Sequence, residues 1–142
     1  MEDRLPDAIR QLREALRIDP GYLNAHYNLA RALAATGDVD DAGREYATFL
    51  ATKPDDAAAQ AGLGTILFHQ RRFPDALAHF REAARLDPNN ADMEANLGTL
   101  LAISGDLPAA AEAFERALRI DPNHEAARAN LAKVRLQLAG KK

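Results

Sequence analysis

The chain has 142 residues, with 18 Lys and Arg against 21 Asp and Glu, a net charge of −3 and no Cys. That length suits one domain or one short array of repeats. The charge balance excludes the basic footprint that nucleic acid needs, and the lack of Cys removes disulfides, thiol catalysis and Cys-containing zinc sites.

Apolar residues make up 47% of the chain but aromatics only 6%, with no Trp. The core must therefore be built largely from small and aliphatic side chains. From Met1 onward, no apolar run follows Arg4, so the opening is unlike a secretory signal. Residues 5–18 form the first expected helix, in which Leu5-Pro6-Asp7-Ala8 repeats as Phe73-Pro74-Asp75-Ala76. Asp19-Pro20 stops it, because a residue before Pro is pushed out of the α region. The next stretch, 23–56, holds two apolar stripes at helical spacing: Leu29, Ala30, Ala32 and Leu33, then Ala42, Tyr46, Phe49 and Leu50. Gly37-Asp38 lies between them, where Gly can take the positive φ that ends one helix and Asp can open the next.

This helix, turn, helix unit recurs over 57–90 and 91–124, with Gly105-Asp106 again between the stripes. Pro20, Pro54, Pro88 and Pro122 are each 34 residues apart, and the second and third copies share 14 identities in 34 without a gap. Such self-similarity marks a structural unit. Pro6, Pro74 and Pro108 fall in the first turn of second helices, where a missing N–H is harmless. Residues 57–70 contain no charge over 14 positions, too short and too polar a run to span a bilayer. A last helix over 125–139 puts Arg135 where the copies have Leu33, Leu67 and Leu101, giving it the polar character of a cap before Gly140-Lys141-Lys142.

Leu29-Ala30 with Leu33, Ala42, Tyr46 and Pro54 resembles the tetratricopeptide repeat pattern. Leu63-Gly64, Leu67, Ala76, Phe80 and Pro88, and Leu97-Gly98, Leu101, Ala110, Phe114 and Pro122, repeat it. The match covers about 5–139. His26, Gln60 and Glu94 stand in the column where that family often has Trp. The resemblance implies an all-α, right-handed superhelical solenoid of antiparallel helix pairs, whose concave groove is lined by the first helix of each copy. On this frame 5–18 is the second helix of a truncated repeat. Either the chain is a piece excised from a longer array, or the bare helix pairs with another molecule through Ile9 and Leu12.

The same resemblance assigns the groove-facing columns. Asn24, Tyr27, Asn28 and Arg31 come from the first copy, Thr65, Phe68 and His69 from the second, Asn96 and Thr99 from the third, and Asn130 and Lys133 from the last helix. A carboxamide both donates and accepts, so the row Asn28, Asn96 and Asn130 can grip the backbone of an extended peptide whatever its side chains. The row is similar to the asparagine ladder of O-GlcNAc transferases, though Gly62 interrupts it. Tyr27, Ala61 and Ala95 occupy the places where a dicarboxylate clamp for acidic chain ends needs Lys.

Catalytic signals are weak. His26, His69, His79 and His124 share no metal-type spacing, and Ser104, the only Ser, lacks a nucleophile-elbow context. The charges of Asp40, Asp41, Arg44, Glu45, Arg81, Glu82 and Arg85 fit a solvated outer face. The expectation is a non-catalytic scaffold without metal or cofactor that binds a protein or peptide, not nucleic acid or membrane. The alternatives are a substrate-recognition module of a larger enzyme, such as a glycosyltransferase, and a self-assembly element that forms a homo-oligomer through the N-terminal helix.

Overall fold

The computed structural model describes residues 4–141; Met1 to Asp3, part of the opening that lacks signal character, and Lys142 lie outside them. The described residues form eight α-helices and no strand. They are α1 (Arg4–Ile18), α2 (Leu23–Thr36), α3 (Val39–Thr52), α4 (Ala57–His69), α5 (Phe73–Leu86), α6 (Ala91–Ile103), α7 (Leu107–Ile120) and α8 (Glu125–Gly140). The helices divide into two compact units, α1 to α4 over Met1–Arg72 and α5 to α8 over Phe73–Lys142. In the first, α2 packs on α1, α3 and α4; in the second, α6 packs on α5, α7 and α8. No described helix is long and apolar enough to cross a membrane.

Small residues let these helices approach closely. Ala30, Ala42, Ala76 and Ala110 are fully buried, and Tyr46, Phe80 and Phe114 fill the spaces beside them. Each such ring contributes about 1.5–3 kcal/mol on burial.

The turns follow the sequence closely in two places and depart from it in a third. Gly37 and Gly105 take φ of 84° and 86°. Asp38 and Asp106 then cap α3 and α7, accepting from the backbone N–H of Asp41 and Ala109. Arg71, one period after Gly37, adopts the same left-handed conformation at φ 61°. Its side chain makes that conformation cost about 1 kcal/mol more than it would for Gly.

The column in which the family often has Trp ties α2, α4 and α8 to the turns before them. His26 Nε2 lies 2.8 Å from the Pro20 carbonyl, Gln60 Nε2 donates to Pro54 O at 2.7 Å, and Arg128 donates to Pro122 O at 2.6 Å. Glu94, a carboxylate, has no such proton to give; it is buried and accepts from Arg116 Nε at 3.0 Å. Glu45, expected on the solvated outer face, instead lies 2.5 Å from His26 Nδ1. Both nitrogens of His26 thus face acceptors, which calls for the doubly protonated ring. Burial opposes that charge. The Glu45 hydrogen bond, the Pro20 carbonyl and the Glu45 charge outweigh it, and the His26 pKa is raised above its ordinary value.

Candidate functional site

In the first unit the wall begins on α2. Asn24, Tyr27, Asn28 and Arg31 recur at three- and four-residue steps and therefore share one helix face. Asn24, Asn28 and Arg31 are exposed, while Tyr27 is half-buried. Tyr27 is held by ring contacts, 6.0 Å from Tyr46 edge-on and 5.2 Å from Phe49. The Arg31 guanidinium sits 5.9 Å from the Tyr27 ring centroid, at the outer reach of a cation–π contact. Arg31 pairs with no described carboxylate. From α4 come exposed Thr65 and His69 and half-buried Phe68. Thr65 Oγ1 donates back to Ala61 O at 3.0 Å, and Phe68 meets His69 edge-on at 5.8 Å.

In the second unit α6 carries Asn96, exposed, and Thr99, half-buried with its hydroxyl bonded to Ala95 O at 3.0 Å. Ala95, expected on the wall, is buried. From α8 come half-buried Asn130 and exposed Lys133, which pairs with no described carboxylate. Thr99, Asn130 and Lys133 meet around a concavity of about 260 Å³, completed by Ile103, Phe114 and Gln137 among others. Asn96 lies outside that lining. Of the expected residues, then, α2 brings four onto one face and the α6, α7 and α8 concavity gathers three.

The carboxamides of Asn28, Asn96 and Asn130 hydrogen-bond no described residue. They contrast with Asn90, whose side-chain oxygen caps α6 by accepting from Met93 N at 3.2 Å. His124 caps α8 in the same way, Nδ1 accepting from Ala127 N at 3.1 Å, while Nε2 faces Asp92 Oδ1 at 2.9 Å. Among the described residues no group of three or more His, Asp or Glu is placed to hold a metal ion.

Ile9 and Leu12 are both half-buried on α1. Ile9 lines an open concavity of about 930 Å³ with Pro6, Arg10, Arg13, Glu14 and Arg17, and Leu12 does not.

The approach of Tyr46 to Gly62 is not evident from either column alone. The Tyr46 ring tip and hydroxyl lie where a side chain at Gly62 would begin: a Cβ there would be 2.5 Å from Tyr46 Cζ and 2.7 Å from its oxygen. The signal was present in the pairing of the only Tyr of its column with the only Gly of the Asn column.

Comparison with known proteins places this geometry. One curated relative, the inactive TPR repeat-containing thioredoxin TTL3 of Arabidopsis thaliana, is 39% identical over 69 residues, 49% of this chain and 10% of its own length. The matched segment therefore spans about a tenth of that protein. Among solved structures, MamA superposes with a TM-score of 0.92 at 22% identity, over 97% of this chain and 81% of its own. YrrB, described as a TPR protein with an unusual peptide-binding site, gives 0.88 at 21% identity over 99% of this chain and 72% of its own. Two tetratricopeptide repeat models match, one over residues 1–66 and the other over 70–125 and 95–141. The chain belongs to the tetratricopeptide repeat family.

Proposed function

We propose that this protein is a non-catalytic protein-interaction scaffold that holds an extended polypeptide segment against its first helices. The observation that carries the reading is the set of carboxamides at Asn28, Asn96 and Asn130, one period or two apart and free of partners among the described residues. An amide side chain with no structural task can donate to a peptide carbonyl and accept from a peptide N–H at once. Tyr27 and Phe68 offer apolar surface beside it, and Arg31 and Lys133 favour a segment carrying a carboxylate. A preformed helical wall loses little entropy when it binds. The peptide-binding site named for YrrB is consistent with this reading.

The test is selection of a phage-displayed dodecapeptide library on the wild-type protein, followed by titration of the best peptide. Replacing Asn28, Asn96 and Asn130 together with Ala should weaken that peptide at least tenfold, since each neutral hydrogen bond contributes about 0.5–1.5 kcal/mol. The melting temperature should stay nearly constant. Unchanged affinity rejects the ladder.

Self-assembly through α1 is a second reading, favoured by the concavity beside Ile9. It requires a mass above the monomer in solution that Ile9→Glu abolishes.

A further inference from the structure

The wall of the first unit carries a polar group that the Asn pattern does not reveal. Each Asn of the Asn28, Asn96 and Asn130 column is preceded, sixteen residues earlier, by a large apolar residue of the second-helix column: Leu12 before Asn28, Phe80 before Asn96 and Phe114 before Asn130. At the fourth place the pair is Tyr46 and Gly62. The one copy without the amide is the one copy whose ring bears a hydroxyl.

The geometry gives this exchange a physical content. Tyr46 is 6% exposed, yet no buried side-chain oxygen or nitrogen among the described residues lacks a hydrogen-bond partner. The Tyr46 hydroxyl bonds to no described residue, so its oxygen reaches the surface. It emerges where a side chain at Gly62 would point, 2.7 Å from the position of that residue's missing Cβ. Tyr27 packs against the Tyr46 ring, and the charge of Arg31 acts on the same phenol. The hydroxyl therefore surfaces beside two wall residues of α2.

Its orientation has a cause in the neighbouring helix. Phe114 leans toward α6, its Cε1 lying 2.8 Å from where a Cβ on Gly98 would sit. The residue corresponding to Gly98 on α2, the helix that precedes Tyr46, is Ala30, which is fully buried. A methyl group there denies Tyr46 the position that Phe114 takes. The ring tips toward α4, and only Gly at 62 leaves room for it.

We propose that the Tyr46 hydroxyl is the polar rung that replaces the missing carboxamide at Gly62, donating to or accepting from the backbone of the bound peptide. The proposal rests on the peptide-binding reading above. A phenol hydroxyl offers one donor and an acceptor oxygen, so it can serve either a peptide carbonyl or a peptide N–H. Because it hangs from a buried ring, its position is fixed before the ligand arrives, whereas a carboxamide on an exposed helix must first be ordered.

The experiment uses the dodecapeptide selected on the wild-type protein, titrated against single variants with melting temperatures measured alongside. Tyr46→Phe removes the hydroxyl and keeps the ring. It should weaken the peptide about three- to tenfold, the effect of losing one neutral hydrogen bond, without a fall in melting temperature. Tyr46→Leu with Gly62→Asn repeats the Leu12 and Asn28 pairing at positions 46 and 62 and should restore affinity relative to Tyr46→Leu alone.

A peptide weakened by Asn28→Ala but indifferent to Tyr46→Phe overturns the rung and leaves the groove reading intact. A peptide indifferent to Asn28→Ala, Asn96→Ala and Asn130→Ala overturns the groove reading and the rung with it. Loss of affinity in Tyr46→Phe that tracks a fall in melting temperature, with no rescue by the Leu and Asn swap, assigns Tyr46 to packing and overturns the proposal.

Discussion

Tyr46 beside Ala30 and Gly62, and Phe114 beside Gly98 and Asn130, are two solutions to one packing problem. Each ring must fill the space between helices of its own unit, and each has one neighbour without a side chain. For Phe114 that neighbour is Gly98, on the helix that precedes it, so the position on the helix that follows is free to carry Asn130. For Tyr46 the preceding neighbour is Ala30, the space opens at Gly62 instead, and the polar function passes to the ring. The lesson is that a column in a repeat cannot be read alone, because the side chain across the interface decides what it can hold.

The largest effect that tests this comparison is removal of a ring. Phe114→Ala should cost about 3–5 kcal/mol by denaturant unfolding, as expected for a fully buried Phe. Tyr46→Ala should cost less if part of its tip already meets solvent. Equal losses would remove the distinction between the two positions.

Next comes overpacking. Gly62→Ala drives a methyl into the Tyr46 ring and should cost about 1–3 kcal/mol. Adding Ala30→Gly should recover part of that loss by letting the ring lean the other way. Failure of the second change to help would show that Ala30 does not set the ring's tilt.

Two histidines, His26 and His79, answer pH in opposite senses. His26 has its pKa raised, by Glu45 and the Pro20 carbonyl against the effect of burial. The charged form is favoured by folding, so its stabilisation is complete below the ordinary histidine value near 6.5 and is lost as pH rises through the folded pKa. His79 has its pKa lowered by burial, which outweighs the opposing charge of Asp75. Folding favours its neutral form, so its contribution is present above pH 6.5 and is lost as pH falls through the lower folded value. Urea unfolding between pH 5 and 8, at about half-unit steps, should show His26→Gln losing its destabilising effect toward high pH and His79→Gln gaining relative stability toward low pH. Parallel curves for wild type and His26→Gln would contradict the doubly donating ring.

The smallest effect lies in the turns. Arg71→Gly should raise stability by about 0.5–1 kcal/mol, because it relieves a left-handed backbone that Gly37 and Gly105 adopt freely. No gain by thermal unfolding would mean that contacts of the Arg71 side chain offset the strain.

The helices and their order were legible in the sequence because apolar spacing, Pro stops and the 34-residue step all act through local backbone chemistry. The αL turn at Arg71 was legible in retrospect, from its place one period after Gly37. Glu45 was misassigned to the solvent because its partner His26 lies on another helix, and no local pattern encodes that approach. Tyr46 was placed in the core on the strength of its column, and rightly, since its ring is buried. That its oxygen emerges on the opposite helix depends on Ala30 and Gly62 together, a three-body condition that periodicity does not express.

The central claim is that the wall carboxamides grip a peptide backbone, and nitrogen-15 NMR of their side-chain NH₂ groups tests it most directly. On titration with the selected dodecapeptide, the resonances of Asn28, Asn96 and Asn130 should shift and slow their exchange with water, while that of Asn90, committed to its helix cap, stays in place. Shifts confined to other surfaces, with all three wall amides unmoved at saturating peptide, would contradict the account.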